Sequence, residues 1–106
     1  MSEVPNQKRY DLEERCLNYA RRARAFVARL PKTIATIEDG KQLIRSTGSV
    51  GANYIEANEA LSRKDFFMRI KISRKEAKES AYWFQLILTG ADVLLEPERK
   101  ALFQVS

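Results

Sequence analysis

SRKDFFMRIKISRKEAKESAYWFQLILTG, residues 62–90, runs from Ser62 to Thr89 without a glycine or a proline. Ser62 followed by Asp65 is a variant capping box, with Asp where Glu or Gln is usual, and Gly90 is a natural C-terminal stop. At about 100° per residue, Phe66, Ile70, Ser73, Ala77, Ser80, Phe84, Ile87 and Leu88 share an arc of about 100°, the core stripe of an amphipathic helix. At about 1.5 Å per residue the helix is a rod of about 40 Å. A helix of that length needs partners of similar length, which predicts a helical bundle.

The same helix carries two further faces. Arg63, Lys64, Lys71, Arg74, Lys75 and Lys78 fall on a separate arc of about 120°. Residues 63–79 hold seven basic and three acidic side chains, a net +4, and Arg69 is the basic residue off that arc. Met68, Ile72, Trp83 and Leu86 form a third, apolar stripe. A helix in a small monomeric bundle needs one apolar stripe, so a second one with a Trp points to self-association. Leu43, Val50, Tyr54 and Leu61 make a similar second stripe on the preceding segment. The other explanation is that these residues pack on helices of the same chain.

Upstream, Asp11 is an N-cap candidate, with Glu13 and Glu14 in the first turn. Leu12, Cys16, Tyr19, Ala20, Ala23, Val27 and Leu30 follow at helical spacing, with Arg21, Arg22, Arg24 and Arg29 mostly off the stripe. Pro31 ends this helix. The segment from about Thr33 to Leu61 contains Gly40, Gly48 and Gly51, yet Ile37, Ile44, Gly48, Gly51 and Ile55 share one side of a wheel. It reads as one helix with close backbone approach, kinked or frayed near Asp39 and Gly40; a loop at 46–51 (STGSVG) is the alternative. Downstream, a short helix can start at Pro97 and carries Ala101, Leu102 and Val105. Its shortness means either a truncated chain or a groove covered by another subunit. The expected architecture is an all-α, antiparallel up-down four-helix bundle, one domain over 1–106, with residues 1–10 as a polar tail.

The composition agrees. Hydrophobic residues make up 44% and charged residues 31% of 106 residues, with 4 Gly and 3 Pro, a globular balance with few turns. The single cysteine, Cys16, excludes an internal disulfide framework. No apolar run reaches the roughly 18 residues of a membrane span, and MSEVPNQKRY has no apolar signal core. These features predict a cytoplasmic protein without a membrane partner. A net charge of +5 and a pI of about 9.6 favour polyanionic partners, though only weakly.

The chemistry of catalysis is thin. With no histidine, His-based acid–base catalysis, Ser-His-Asp and Cys-His triads and His-containing metal sites are excluded. Cys16 sits at core spacing and reads as a small buried hydrophobe. Glu56 and Glu59 on one helix and Glu76 and Glu79 on the next could hold two metals. Di-iron bundles, however, use Glu-x-x-His pairs, and Glu76 only borders the core stripe while Glu79 lies beyond it. GSVG (48–51) lacks the strand and the Gly-Lys-Ser/Thr ending of a phosphate loop. The chain is therefore expected to be no enzyme and to hold no metal or cofactor.

EDGKQLIRSTGSVGANYIEANEALSRKDFFMRIKISRKEAKESAYW (38–83) resembles the bacterial four-helix-bundle proteins first associated with intervening sequences in large-subunit ribosomal RNA genes. QLIRSTGSVGANYIEA (42–57), Ser62 to Phe66 and KEAKESAYW (75–83) carry the likeness, and YDLEER (10–15) and LPKT (30–33) fit it. The resemblance implies a left-handed bundle that assembles into a ring-like homopentamer. It also implies kinship with the accessory protein of diversity-generating retroelements, which binds a reverse transcriptase and nucleic acid through a basic surface. The family's fourth helix usually runs longer than the one here.

The functional expectation is an oligomeric binding protein. Arg63, Lys64, Lys71, Arg74, Lys75 and Lys78 neutralise phosphates of structured RNA or another nucleic acid, with few readers of bases beyond Phe67 and Tyr82. Tyr54, Met68, Ile72, Trp83 and Leu86 form the interface between copies. A solvated lysine face, a protein–protein adaptor for a nucleic-acid enzyme, and a carboxylate di-metal enzyme are the alternatives.

Overall fold

The computed structural model describes residues 6–106, so MSEVP (1–5), the first part of the expected tail, lies outside the described residues. Four helices follow in order: α1 (Asn6–Ala28), α2 (Ile34–Asn58), α3 (Arg63–Leu86) and α4 (Leu95–Val105), with no strand among the described residues. α1 packs on α2, α2 on α3, α3 on α4, and α4 returns to α1. That closed order of neighbours is an up-down four-helix bundle. The last helix has 11 residues against 23 to 25 in the others, and the molecule is drawn out to 47 × 23 × 17 Å.

α1 starts at Asn6, not at the Asp11 cap that the sequence suggests. Residues 6–10 contain no glycine or proline to interrupt it. Ala23 and Leu30 of the expected stripe are buried, but the centre of the core is Phe26, which the stripe omits. Its ring stands edge-on to Phe84 at 5.6 Å and 66°, a favoured aromatic geometry.

α2 runs unbroken through all three glycines, which removes both the fraying near Gly40 and the loop at 46–51. A reciprocal capping box starts it: Thr33 Oγ1 accepts the Thr36 N–H and Thr36 Oγ1 accepts the Thr33 N–H. Both of its faces pack inside the chain, the one expected to meet a second copy included. Leu43 and Tyr54 are buried in the chain at 0% and 6% exposure, whereas Ile37 and Ile55 are 44% and 47% exposed. The cause is the position of α2 between α1 and α3. Its glycine stripe meets α1, where a Cβ at Gly40 would stand 2.9 Å from Val27 Cγ1 and one at Gly51 3.1 Å from Cys16 Cβ. Backbones that close leave the isoleucines at the stripe's edges no room inside. The opposite face of α2 meets α3 through small polar groups. Ser80 Oγ and Ser46 Oγ lie 2.8 Å apart, and Ser73 Oγ donates to Val50 O at 2.8 Å.

α3 ends at Leu86 rather than Thr89, because Ile87 turns extended (φ −70°, ψ 142°) and buries its side chain at 3% exposure beside Phe84. Leu88, assigned to the core stripe, is consequently exposed. Gly90 serves the following turn with φ +72°, against Pro31 of the α1–α2 connection, a conformation natural to glycine. α4 begins at Leu95, and Asp92 covers its start by accepting the Leu94 N–H at 2.9 Å. Pro97 sits within the first turn, where a missing N–H costs nothing. Leu95 and Leu102 are the buried residues of α4, while Val105 is 63% exposed.

Candidate nucleic-acid interface

The frame of α3 places the basic arc. Ser62 Oγ accepts the Asp65 N–H at 3.1 Å and fixes the helix start. Phe66, Ser73, Ser80 and Phe84 then bury one side. Arg63, Lys64, Lys71, Arg74, Lys75 and Lys78 all end up exposed on the far side. Among the described residues no carboxylate pairs with Lys64, Lys71, Arg74, Lys75 or Lys78. From 64 to 78 they run about 21 Å along the helix axis. Phe67 and Tyr82, 47% and 56% exposed, stand near the two ends of the row. Arg69 faces elsewhere, donating to Asn53 Oδ1 at 3.2 Å.

The basic arc differs in this respect from four other arginines. Arg22 is held by Glu98 at 2.9 Å and Arg45 by Glu76 and Glu79 at 3.0 and 2.7 Å; Arg29 and Arg99 pair with Asp92 and Glu96. The first three tie separate segments together, while Arg99 pairs within α4 and donates to Phe84 O of α3. Charge left uncompensated on one face makes a positive potential that a polyanion meets first. The α1–α4 pairs were not foreseen, although the seven-residue spacing of Arg15, Arg22 and Arg29 in the sequence marks a common helix face.

The third stripe of α3 lies beyond the basic arc. Met68 and Leu86 are 48% and 47% exposed, and Ile72 and Trp83 are half-buried. Trp83 Nε1 donates to Glu79 Oε2 at 3.0 Å, and its ring meets Tyr82 edge-on at 5.1 Å. Tyr54, assigned to the same interface, is withdrawn from it: packing between α2 and α3 already hides its side chain, so no second copy can bury it further.

The glutamates do not converge on a metal-sized hole. The Trp83 indole N–H, and then Arg45, hold the Glu79 carboxyl below its ordinary range. Glu56 on α2 and Glu59 at its C-cap are exposed. Among the described residues no three of His, Cys, Asp or Glu are grouped to hold an ion. Cys16 is half-buried, and burial pushes its thiol pKa up, the opposite of what a nucleophilic thiolate needs. No helix among the described residues is long and apolar enough to cross a membrane.

Compared with known proteins, residues 6–98 match a family model, described as the 23S rRNA-intervening sequence protein. No curated protein and no solved structure matches the chain.

Proposed function

The chain belongs to the 23S rRNA-intervening sequence protein family, and on that premise we propose that it is a non-enzymatic cytoplasmic protein that binds structured RNA through phosphates on the α3 basic face. One observation carries the reading: Lys64, Lys71, Arg74, Lys75 and Lys78 share one exposed face and have no carboxylate partner among the described residues, while the seam arginines do. An uncompensated row of cations gains most by displacing counterions condensed on a polyanion. Ammonium and guanidinium groups fix phosphates and carry no sequence code. Phe67 and Tyr82 offer rings on which an unpaired base can stack.

The protein acts as an oligomer in this account. Met68, Ile72, Trp83 and Leu86 supply the contact between copies, and the ring-like pentamer that the resemblance implies would set several basic faces side by side. Linked faces raise avidity without new contacts per subunit.

Charge reversal tests the site. Changing Arg74, Lys75 and Lys78 together to glutamate is expected to abolish RNA binding, with helicity by circular dichroism unchanged, because all three are exposed. Reversing Arg21 on α1 is expected to matter less. Unchanged binding in the triple variant would remove this face as the RNA site and favour a protein–protein adaptor.

A further inference from the structure

On α3, the cations Arg63, Lys64, Lys71, Arg74, Lys75 and Lys78 share their arc with Phe67, Tyr82 and Gln85, all of them exposed. The acids of the helix, Asp65, Glu76 and Glu79, fall outside that arc. Phe67 and Tyr82 stand about 22 Å apart along the axis, at about 1.5 Å per residue. Lys71, Arg74, Lys75 and Lys78 lie between them. A strip of cations is thus bounded at each end by an aromatic ring.

Neither ring is loose. Phe67 meets the buried Phe66 edge-on at 5.5 Å and 73°, and Tyr82 meets Trp83 edge-on at 5.1 Å and 72°. Trp83 is itself tethered to Glu79 through its indole N–H. Both outer rings are still about half exposed. A ring already held in place loses little rotamer freedom when a flat partner covers it. Rings set into a cationic face suit a ligand that is both anionic and flat, as a nucleotide is.

Duplex RNA does not offer that ligand. Its base faces are stacked on one another, and its major groove is deep and narrow, whereas a helix with its side chains is about 10–12 Å wide. Unpaired nucleotides present a phosphate and an open base face together.

We propose, on the premise that this face binds RNA phosphates, that its ligand is a single-stranded stretch laid along α3. The strand's backbone follows Lys71, Arg74, Lys75 and Lys78, and a base stacks on Phe67 at one end and on Tyr82 at the other. At about 3.4 Å per stacked nucleotide, the span between the rings holds roughly seven nucleotides or fewer. A loop, bulge or free end of a structured RNA supplies a stretch of that size.

The probe is a fluorescein-labelled RNA of about a dozen nucleotides without self-complementarity, used alone or annealed to its complement. Charge alone favours the duplex, whose phosphates are denser. Fluorescence anisotropy at one fixed salt concentration should nonetheless show the single strand binding about tenfold tighter. Phe67→Leu and Tyr82→Leu keep an apolar side chain and remove the aromatic face. Each should weaken the single strand at least about fivefold and leave the duplex within about twofold. Tyr10→Leu, at an exposed aromatic of α1, should change neither by more than about twofold. Circular dichroism checks that the variants fold. A duplex that binds as tightly as the single strand would overturn the proposal, and so would ring variants with no more effect than Tyr10→Leu. In either case the phosphate face itself stands if reversing Arg74, Lys75 and Lys78 still abolishes binding. No binding of either RNA, or binding that survives the triple reversal, would overturn the face and the proposal together.

Discussion

A methyl group at Gly40 would meet the branched Val27 side chain at 2.9 Å, whereas at Gly48 it would meet only the tip of Arg24 at 3.5 Å. Both positions lie inside α2, where alanine is favoured over glycine by about 1 kcal/mol. The two substitutions should therefore act in opposite directions. Gly48→Ala should stabilise by up to about 1 kcal/mol, because Arg24 is flexible and exposed. Gly40→Ala should destabilise by about 1–2 kcal/mol net, since Val27 is stiff and the α1–α2 spacing must widen. Urea denaturation of the two variants measures both signs. Gly48→Ala costing as much as Gly40→Ala would mean that the close approach lies elsewhere along the seam. The glycine stripe was legible as a contact surface, but its neighbours Ile37 and Ile55 were read as buried with it. A wheel shows which residues share a side, not how near the partner backbone comes.

Among the elements, α3 was the most legible. Its cap at Ser62, its buried Phe66, Ser73, Ser80 and Phe84, and its exposed basic arc all follow from 3.6-residue periodicity without interruption. α2 was legible as one helix and misread in part, because it alone lies between two long helices, α1 and α3, and is covered on two sides, whereas α3 has one long neighbour and the short α4. α4 was the least legible: its start is set by Asp92 and by Leu95 entering the core, which are tertiary facts. The same seam makes an acid-sensitive element. Arg99 holds the Glu96 carboxyl down to about 2 from an ordinary 4.5, and the Leu94 N–H and then Arg29 lower Asp92. A carboxylate whose pKa is depressed on folding contributes stability above its unfolded value and loses it as pH falls through the folded one. The thermal midpoint should thus be flat above about pH 5 and fall between about pH 4.5 and 2. Glu96→Gln should make that fall shallower, leaving Asp92 and Glu79 to supply the rest. An identical acid profile in wild type and Glu96→Gln would contradict the assignment.

For the whole molecule, the account rests on faces that one chain leaves uncovered. Phe84 and Phe26 fix a single core, so Phe84→Ala should cost about 3–5 kcal/mol of stability; a loss under about 1 kcal/mol would contradict the core described. Met68 and Leu86, by contrast, are about half exposed and should be replaceable without unfolding the monomer. Light scattering at tens of micromolar should give a multiple of the monomer mass, and Met68→Glu with Leu86→Lys should lower it. A monomer mass for the unaltered protein would contradict the oligomer.

If the α3 basic arc neutralises RNA phosphates, RNA binding must weaken steeply with salt. With three to five phosphate contacts per subunit and about −0.7 to −0.9 per contact, the slope of log affinity against log salt should be roughly −2 to −4 per bound subunit. Changing Lys71 and Lys78 singly to alanine should each remove somewhat less than about one unit of slope. A steep line that flattens stepwise with these substitutions is the expected result; a flat salt response, or a slope that they leave unchanged, would remove the α3 arc as the RNA site.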